Sequence, residues 1–323
     1  MIQPATMKHE PRLFIGSHGA TIQGERVDLC GDRCFSAAHD RMPVGLSTLR
    51  GVNALLDSGA FSDDLDDRLT PEQALDRQFA WERRAAERWQ EPWTAYAFAS
   101  YDMLIDETWE NGRRYKRRWS AAAAEYAVRA TVEAAAYLVS QRERLAGRRL
   151  VLGCQGVTPE QYADCVIEIL KLAGPQDWIG LGGWCILGRS KRLLPSFWKT
   201  LYLIMPRIRD AGILSVHLFG VLWEKALGGF LWIADRYGLA ISTDSSRIIR
   251  DCSSAESATL RRAGARAPYW RDNVAHWQET VRTLRQSVWY TSPCPLYEMA
   301  ENGSAPFSGQ GNGANDHTQA ALV

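Results

Sequence analysis

The sequence predicts an α/β fold, a single (β/α)8 barrel in which parallel strands form a closed ring inside a layer of helices. Short apolar runs alternate with longer helical patterns along the first 290 residues or so, and eight such runs can be distinguished. Strands separated by helical segments are typical of a parallel sheet built from βαβ units. An open doubly wound sheet has the same alternation and is the second candidate. A chain of 323 residues is long enough for either fold and for a substantial core.

Each candidate strand is a short run of apolar or β-branched residues that ends at a small or polar residue. Such runs fit strands that are buried on both faces, as in a barrel. The eight runs are residues 12–16 (RLFIG), 42–46 (MPVGL), 53–57 (NALLD), 96–100 (YAFAS), 149–154 (RLVLGC), 177–182 (DWIGLG), 214–220 (LSVHLFG) and 239–243 (LAIST).

The helices between these runs have clear start and stop signals. Thr70 and Thr158 each precede Pro at the first helical position and Gln at the third, which predicts two capping boxes. The alanine-rich segment 120–147 is strongly helical and ends at Gly147. Further helical patterns cover residues 194–209, 221–237, 255–264 and 271–289.

The domain organisation follows from the composition. Residues 1–298 are predicted to form the barrel with a C-terminal helix. Residues 299–323 are rich in Gly, Ser, Ala and Asn and poor in aromatics, so they are predicted to be a disordered tail.

Charge and cysteine content limit the class of protein. There are 38 basic and 37 acidic residues, so nucleic-acid binding would depend on local basic patches. The seven cysteines are scattered and odd in number, which indicates reduced thiols. No long apolar run and no signal-peptide pattern is visible, and the sequence predicts a soluble, cytoplasmic protein.

Polar and small residues follow the predicted strands at their C-terminal ends, where barrels of this kind carry their sites. An Asp that closes a strand often only caps a turn. Three carboxylates, one amide and two Gly turns at one mouth nevertheless favour a catalytic site. The residues are Asp57, Asp102, Gln155, Gly182, Gly183, Phe219, Gly220 and Asp244.

Six segments at these positions resemble, in order, motifs of the tRNA-guanine transglycosylases and their DNA-modifying relatives, the DpdA proteins. DSGAF (57–61) resembles the family's DSGGF/Y, and ASYDMLID (99–106) resembles the segment whose acid reads the guanine edge. GCQG (153–156) resembles VQGG, and GLGGWCILGR (180–189) resembles GYAIGGLAVGE. HLFGV (217–221) resembles YLMGVG, and ISTDSS (241–246) resembles DMFDCV. The resemblance covers roughly residues 50 to 290.

This resemblance implies exchange of guanine in a nucleic acid for another base. Asp244 would attack C1′ of the target nucleotide and form a covalent glycosyl-enzyme intermediate. Asp57 would protonate the leaving base and then deprotonate the incoming one, as the two carboxylates of retaining glycosidases do.

The resemblance also implies a guanine-binding pocket. Asp102 would accept hydrogen bonds from N1–H and the exocyclic amine of guanine, while Gln155 and the Gly183 amide would serve O6. Phe61 and Phe219 would stack on the two faces of the flipped base. The same motifs add Ser58, Gly182 and Gly220 to the predicted substrate-binding residues.

The sequence departs from the family at the structural zinc, which the tRNA enzymes hold through C-x-C-x-x-C and a later His. After Asp244 only Cys252 and Cys294 remain, and Asp272 occupies the position of the His. The tetrahedral ligand set is therefore incomplete, and no zinc and no cofactor are expected. A second, weaker candidate cluster consists of Cys30, Cys34 and His39.

Two further departures concern the base pocket. Arg189 stands where the bacterial queuosine-pathway enzymes have Glu, and a cation there would repel an aminomethyl group on the incoming base. This favours an uncharged 7-deazaguanine such as 7-cyano-7-deazaguanine, unless Arg189 faces solvent or phosphate instead. Ala60 replaces the second Gly of DSGGF and would narrow the pocket slightly.

Three basic segments suggest where a polynucleotide would bind: GRRYKRRW (112–119), RSKR (189–192) and RRAGARAPYWR (261–271). The first combines cations with aromatic rings, as backbone-tracking and base-stacking surfaces do. The missing zinc module and the resemblance to the DpdA proteins favour DNA over tRNA, with helper proteins as possible partners. The predicted nucleic-acid-binding residues are Arg113, Arg114, Lys116, Arg117, Arg118, Arg189, Lys191 and Arg192.

Three alternatives stay open from the sequence. One is a tRNA-guanine transglycosylase that has lost its zinc module. Another is a non-catalytic paralogue that binds nucleic acid, although the presence of both Asp57 and Asp244 speaks against it. The third is an unrelated barrel hydrolase, because a fold alone does not determine function.

Overall fold

A closed barrel of eight parallel strands forms the centre of the computed structural model. The structure describes residues 8–16, 21–27, 29, 31–38, 50–63, 67–103, 108–110, 113–115, 120–185, 193–252 and 268–291. The strands are β1 (Arg12–Gly16), β2 (Gly31–Ser36), β3 (Val52–Asp57), β4 (Ala97–Ala99), β5 (Arg149–Cys154), β6 (Trp178–Leu181), β7 (Ser215–Leu218) and β8 (Ala240–Ser245).

Each barrel strand pairs with the strand before it and the strand after it, and β1 closes the ring by pairing with β8. In that closing register Phe14 lies beside Asp244, and on the other side of β1 the strand β2 places Ser36 beside Asp57 of β3. Closure leaves no strand edge unpaired. The predicted (β/α)8 barrel is confirmed, and the open sheet is excluded.

The second strand of the barrel is not the predicted one. Residues 31–36 (GDRCFS) pair with both β1 and β3, so the prediction that residues 42–46 supply this strand is wrong. Residues 42–46 lie outside the described ranges. The segment was missed because it carries polar residues: Asp32 forms an ion pair with Arg12, and Arg33 is buried. Those polar residues conceal the apolar alternation that identifies a strand.

Helices pack around the outside of the barrel. They are α1 (Pro71–Trp89), α2 (Ala121–Ser140), α3 (Pro159–Leu170), α4 (Leu194–Asp210), α5 (Glu224–Tyr237), α6 (Arg247–Arg250), α7 (Trp270–Arg282) and α8 (Val288–Thr291). Two short hairpins pair residues 21–22 with 25–26 and residues 108–110 with 113–115. Short 3-10 helices cover Ala60–Ser62 and Leu284–Gln286.

The capping predictions hold at Thr70 and hold in part at Thr158. The Thr70 hydroxyl accepts from the Gln73 amide and the Gln73 side chain accepts from the Thr70 amide, which completes a capping box. Thr158 caps α3 in the same way, but the Gln161 side chain accepts from the amide of Val157 instead.

Two predicted helix boundaries change in the structure, and one helix is not described. The segment 120–147 is helical only to Ser140 and continues as turns to Gly147. The segment 271–289 breaks at Thr283, between α7 and the 3-10 turn that precedes α8. The predicted helix at 255–264 lies outside the described residues.

Two apolar layers form the core. Side chains that point outward from the strands, such as Phe35, Leu56 and Phe98, pack against the helices. Side chains that point inward fill the barrel itself, among them Phe14, Cys34, Leu55, Ala97, Ala99, Val151 and Trp178. A packed interior of this kind makes the barrel a scaffold rather than a pore.

The N-terminal end of the barrel is closed by Arg12. Its guanidinium donates to both carboxylate oxygens of Asp32 at 2.8 and 2.6 Å and to the Tyr96 hydroxyl at 2.8 Å. The same group lies 4.8 Å from the centre of the Tyr96 ring and 5.8 Å from that of Trp178. The opposite end of the barrel, where the strands end, therefore remains available for a site.

Among the described residues, no helix is long and apolar enough to cross a membrane.

Candidate active site

The predicted site residues converge at the C-terminal end of the barrel. Asp57 is the last residue of β3, and Asp244 is the last but one of β8. Gln155, Gly182 and Phe219 directly follow β5, β6 and β7, and Asp102 follows β4 by three residues. Because all eight strands run in the same direction, these residues lie around one opening.

Asp244 is held by hydrogen bonds to one of its two carboxylate oxygens. Oδ1 accepts from the backbone N–H of Gly220 at 2.9 Å and lies 3.2 Å from Nε2 of His217. The Thr243 hydroxyl donates to the carbonyls of Leu218 and Val221, which fixes the loop that carries Gly220. The Asp244 side chain is 15% exposed, so its carboxylate is still accessible from the mouth.

Gly220 can supply this N–H because it adopts a left-handed backbone conformation. Its φ of 68° is strained for residues with a side chain, and a Cβ would lie 3.0 Å from Cβ of Cys185. A glycine is therefore needed after Phe219 for the backbone N–H to reach Asp244.

Asp57 is a carboxyl group with a strongly shifted pKa. Burial is the largest cause, followed by the negative charges of Asp244 and Asp102, and together they raise its pKa to about 7. The backbone N–H of Gly59 and the charge of Arg77 act in the opposite direction. Such a carboxyl is partly protonated near neutral pH and can act as an acid and as a base.

The turn after Asp57 is fixed by an ion pair and a tyrosine. Arg77 of α1 donates to the Ser58 carbonyl and binds both carboxylate oxygens of Asp63, at 2.8 and 2.9 Å. The Tyr101 hydroxyl donates to the same Asp63 carboxylate at 2.8 Å. Since Tyr101 precedes Asp102, this network connects the loops that carry two of the three carboxylates.

Asp102 pairs with Gln155 across the mouth. The Gln155 amide Nε2 donates to Asp102 Oδ2, and the Arg68 guanidinium donates to the Asp102 carbonyl at 2.5 Å. Burial raises the pKa of Asp102, while the hydrogen bond from Gln155 and the charge of Arg68 oppose that shift. Gln155 is completely buried, and its Oε1 has no hydrogen-bond partner among the described residues.

Glycines make room for these polar side chains. A Cβ at Gly182 would overlap the Gln155 amide and come within 3.0 Å of Asp102 Oδ2. A Cβ at Gly183 would lie 2.9 Å from Gln155 Oε1, and the φ of 78° there also disfavours a side chain. Gly180 faces the Phe219 ring, which a Cβ would approach to 2.5 Å. The small residues of GLGG are therefore required by the packing of the mouth.

Cys34 lies in the barrel beneath the two acids. Its thiol is within hydrogen-bonding reach of Asp244. Burial, followed by the charges of Asp244 and Asp57, raises the pKa of this thiol well above its ordinary range. The neutral thiol therefore adds no charge between the two carboxylates.

The two predicted stacking rings differ in their surroundings. Phe219 is half-buried and contacts the His217 ring edge-on at a centroid distance of 4.6 Å. Phe61 is half-buried on the 3-10 helix that follows the Asp57 turn. Stacking of a base between Phe61 and Phe219 stays a prediction.

The predicted polynucleotide-binding residues are mostly not described. Lys116, Arg117, Arg118, Arg189, Lys191 and Arg192 lie outside the described residues. For Arg113 and Arg114 only the backbone is described, in the hairpin that pairs residues 108–110 with 113–115. The first strand of that hairpin, Thr108–Glu110, contacts the 3-10 helix Ala60–Ser62, which follows Asp57.

The zinc prediction is not decided by the structure. No group of three or more potential metal ligands occurs within the described residues. Asp272 is exposed on α7, Cys252 is buried beside α6, and Cys34 points into the barrel. The other candidates, Cys30, His39 and Cys294, lie outside the described ranges.

Sequence reasoning missed two residues that belong to the site, His217 and Ser242. Both point inward, and Nδ1 of His217 lies 2.9 Å from the Ser242 hydroxyl. Side chains along β7 and β8 point alternately into and out of the barrel, so His217 and Ser242 lie one inward-facing layer below Phe219 and Asp244. That alternation could have revealed them, because a His or Ser in a barrel interior needs a polar partner.

No protein-family model matches the sequence, and no curated protein matches it. A flavocytochrome b2 mutant with benzoylformate has 11% identity over 96% of this chain and 77% of that chain, with a TM-score of 0.47. A fructose-bisphosphate aldolase from Campylobacter jejuni has 10% identity over 85% and 86%, with a TM-score of 0.39. An L-ribulose 3-epimerase has 14% identity over 81% and 87%, with a TM-score of 0.35. The aldolase and the epimerase are enzymes by name, but identities this low identify no reaction for this chain.

Proposed function

We propose that the protein is a guanine transglycosylase that exchanges guanine in DNA for a 7-deazaguanine, such as 7-cyano-7-deazaguanine. The observation that carries the proposal is the group of three carboxylates at the mouth of the barrel, Asp57, Asp102 and Asp244. Their environments differ, and such differences are typical of carboxylates with different catalytic roles.

The two catalytic acids fit a double displacement. Asp244 is fixed by Gly220 and remains accessible, as a nucleophile requires. Its carboxylate would attack C1′ and form a C1′–O bond while the C1′–N9 bond breaks. The electron pair of that bond stays on the base, which takes the proton of Asp57. A carboxyl group whose pKa is about 7 holds that proton at neutral pH often enough to serve as the acid.

The second half of the reaction reverses these roles. The Asp57 carboxylate would take the N9 proton of the incoming 7-deazaguanine, whose nitrogen then attacks C1′. The C1′–O bond breaks and its electron pair returns to Asp244. Each carboxyl group ends in its starting protonation state, so the exchange needs no oxidant, reductant or metal ion to balance.

The Asp102–Gln155 pair supports guanine as the base. With Nε2 of Gln155 bound to Asp102 Oδ2, the second oxygen of Asp102 is left as an acceptor, and the buried Oε1 of Gln155 would become a second one only if its amide moves. The N1–H and amino groups of guanine are donors that suit such acceptors, whereas adenine has neither donor there. The expectation that Gln155 serves O6 requires the amide to leave Asp102 or rotate when the base binds.

DNA is proposed as the polymer because the zinc ligands of the tRNA enzymes are missing from the sequence and the motifs resemble those of the DpdA proteins. A transglycosylase that acts on tRNA is the alternative, and a non-catalytic binding protein is another. Nucleoside analysis of DNA and tRNA from cells with and without the protein would distinguish the first two.

The direct test is incorporation of labelled guanine into duplex DNA and into tRNA by the purified protein. Wild type should label DNA and form a denaturation-resistant adduct with it. Asp244→Asn should abolish both, because the amide is not nucleophilic, while its fold stays intact. Asp164→Asn, at an exposed position on α3, is the matched control and should behave as wild type. Incorporation by Asp244→Asn at the wild-type rate would exclude this mechanism.

Labelling of tRNA alone would replace DNA with tRNA as the substrate. If neither polymer is labelled by wild type, even with candidate helper proteins supplied, the transglycosylase proposal falls.

A further inference from the structure

We propose that His217 is a positioning residue that holds the nucleophilic carboxylate through an Nε2–H tautomer, which the carboxylate selects and the hydroxyl of Ser242 accommodates. The role in catalysis rests on the proposed function, whereas the hydrogen-bond arrangement itself can be tested without it. The three residues form a chain in the barrel interior, from Ser242 through His217 to Asp244.

The tautomer follows from what each partner can donate. A carboxylate can only accept hydrogen bonds, so the ring nitrogen 3.2 Å from Asp244 Oδ1 has to carry the hydrogen. In a neutral ring Nδ1 is then an acceptor, and the Ser242 hydroxyl at 2.9 Å can donate to it. Since a hydroxyl can donate or accept, Asp244 selects this tautomer and Ser242 provides a partner for the remaining ring nitrogen.

The surroundings of the imidazole prevent it from turning away. His217 is completely buried, and three aromatic rings contact it. The rings of Phe14 and Phe219 lie edge-on at 5.9 and 4.6 Å, and the Trp178 ring is stacked at 6.3 Å. A ring confined in this way keeps its hydrogen bond in a fixed direction, and little entropy is lost when the bond forms.

The consequence concerns which oxygen of Asp244 reacts. The N–H groups of His217 and Gly220 both meet Oδ1, so Oδ2 receives neither bond. We infer that Oδ2 attacks C1′ and that Oδ1 becomes the carbonyl oxygen of the covalent intermediate.

The alternative is that His217 only fills space among the aromatic rings. Two substitutions separate the two roles. His217→Phe keeps an aromatic ring of similar size but has no donor, whereas His217→Gln places an amide N–H near the position of Nε2. Ser242→Ala leaves the imidazole in place and removes the hydrogen-bond partner of Nδ1.

The experiment measures adduct formation with duplex DNA in a single turnover and guanine exchange at steady state. His217→Phe should slow adduct formation by about tenfold to hundredfold, because the carboxylate is no longer held in the direction of attack, with KM for guanine unchanged. His217→Gln should recover most of that loss, and Ser242→Ala should fall between wild type and His217→Phe. Thermal melting checks that each variant is folded.

The 15N chemical shifts of the imidazole provide a readout that does not depend on activity. In wild type they should show the Nε2–H tautomer, and Ser242→Ala should keep that tautomer while the Nδ1 shift changes, because only the hydrogen bond at Nδ1 is lost. An Nδ1–H tautomer in wild type would overturn the proposal, as would a folded His217→Phe variant that forms the adduct at the wild-type rate. If wild type forms no adduct and exchanges no base, the proposed function fails, and the nitrogen shifts alone decide whether His217 holds Asp244.

Discussion

Burial and the negative charge of Asp244 together hold Asp57 in a state that is partly protonated at neutral pH, with a pKa of about 7. The two residues stand on β3 and β8, which are separated in the barrel by β1 and β2. Burial is the larger cause, and the negative charge of Asp244 adds to it because a nearby like charge opposes ionisation of Asp57.

The raised pKa of Asp57 has a consequence for stability that depends on pH. Its ordinary value is 3.8, so between about pH 4 and pH 7 the folded state retains a proton that the unfolded state has lost. The unfolded state then binds fewer protons, and the free energy of unfolding falls as the pH rises through this window. Folding therefore has to overcome a penalty at pH 8 that is absent at pH 4.

We predict that Asp57→Asn is more stable than wild type at pH 8 and nearly equal to it at pH 4. A shift of about three pKa units corresponds to at most about 4 kcal/mol, and partial exposure of the carboxyl reduces this to roughly 2 kcal/mol. Urea denaturation at the two pH values measures the difference, with Asp164→Asn as the control. The same variant should lose base exchange. If Asp57→Asn is less stable than wild type at pH 8, the raised pKa of Asp57 is contradicted.

We predict that Asp102→Ala impairs recognition of guanine more than it impairs the chemical machinery. Loss of a charged acceptor in a closed pocket should cost about 2–4 kcal/mol of transition-state binding. A slow residual exchange with relaxed base choice should remain, because Asp57 and Asp244 are intact. Competition between labelled guanine and adenine measures the residual rate and the base choice, with Asp164→Ala as the control.

An alternative reader of the base is Asp106, which lies outside the described residues. If Asp106→Ala fails to exchange guanine while Asp102→Ala works at the wild-type rate, then Asp106, four residues further on, reads the base instead of Asp102. The hydrogen bond from Gln155 would then be purely structural.

We predict that Gly182→Ala disrupts the Asp102–Gln155 pair. The added methyl group would overlap the Gln155 amide and approach Asp102 Oδ2 to 3.0 Å. The variant should lose about 1–3 kcal/mol of stability through overpacking and should bind guanine at least about tenfold more weakly. Equilibrium binding of labelled guanine and thermal melting measure the two effects.

Gly212→Ala is the matched control for this variant. It has open space for a methyl group but a φ of 78°, so it should cost about 1 kcal/mol of stability and leave guanine binding unchanged. Guanine binding by Gly182→Ala at wild-type strength would show that the pair is not part of the base pocket.

We predict that the purified protein contains no stoichiometric zinc and that chelators leave its melting temperature unchanged. The family ligand set is incomplete in the sequence, and Asp272 stands at the position of the His. Elemental analysis measures the metal content. One tightly bound zinc per chain would revive Cys30, Cys34 and His39 as candidate ligands, and Cys34→Ser would then be expected to weaken metal binding.

The sequence predicted most of the barrel because strand and helix periodicity are local properties. Seven of the eight strands carry an apolar run that ends at a polar or small residue, so their C-terminal ends and the acids there were visible. The capping box at Thr70 could also be predicted because it depends on residues close together in the sequence. The exception, β2, carries the polar residues Asp32 and Arg33, and the partner of Asp32 is Arg12 on another strand.

The sequence by itself determined that Asp57, Asp102, Gln155 and Asp244 end or follow parallel strands, and hence that they lie at one opening. Only the tertiary structure decided how they act on one another. The pKa of Asp57, the bond from Gln155 to Asp102 and the contact of His217 with Asp244 all depend on burial and on register between strands distant in sequence. A local sequence pattern contains neither burial nor register, because desolvation and hydrogen-bond direction are set only when the barrel closes.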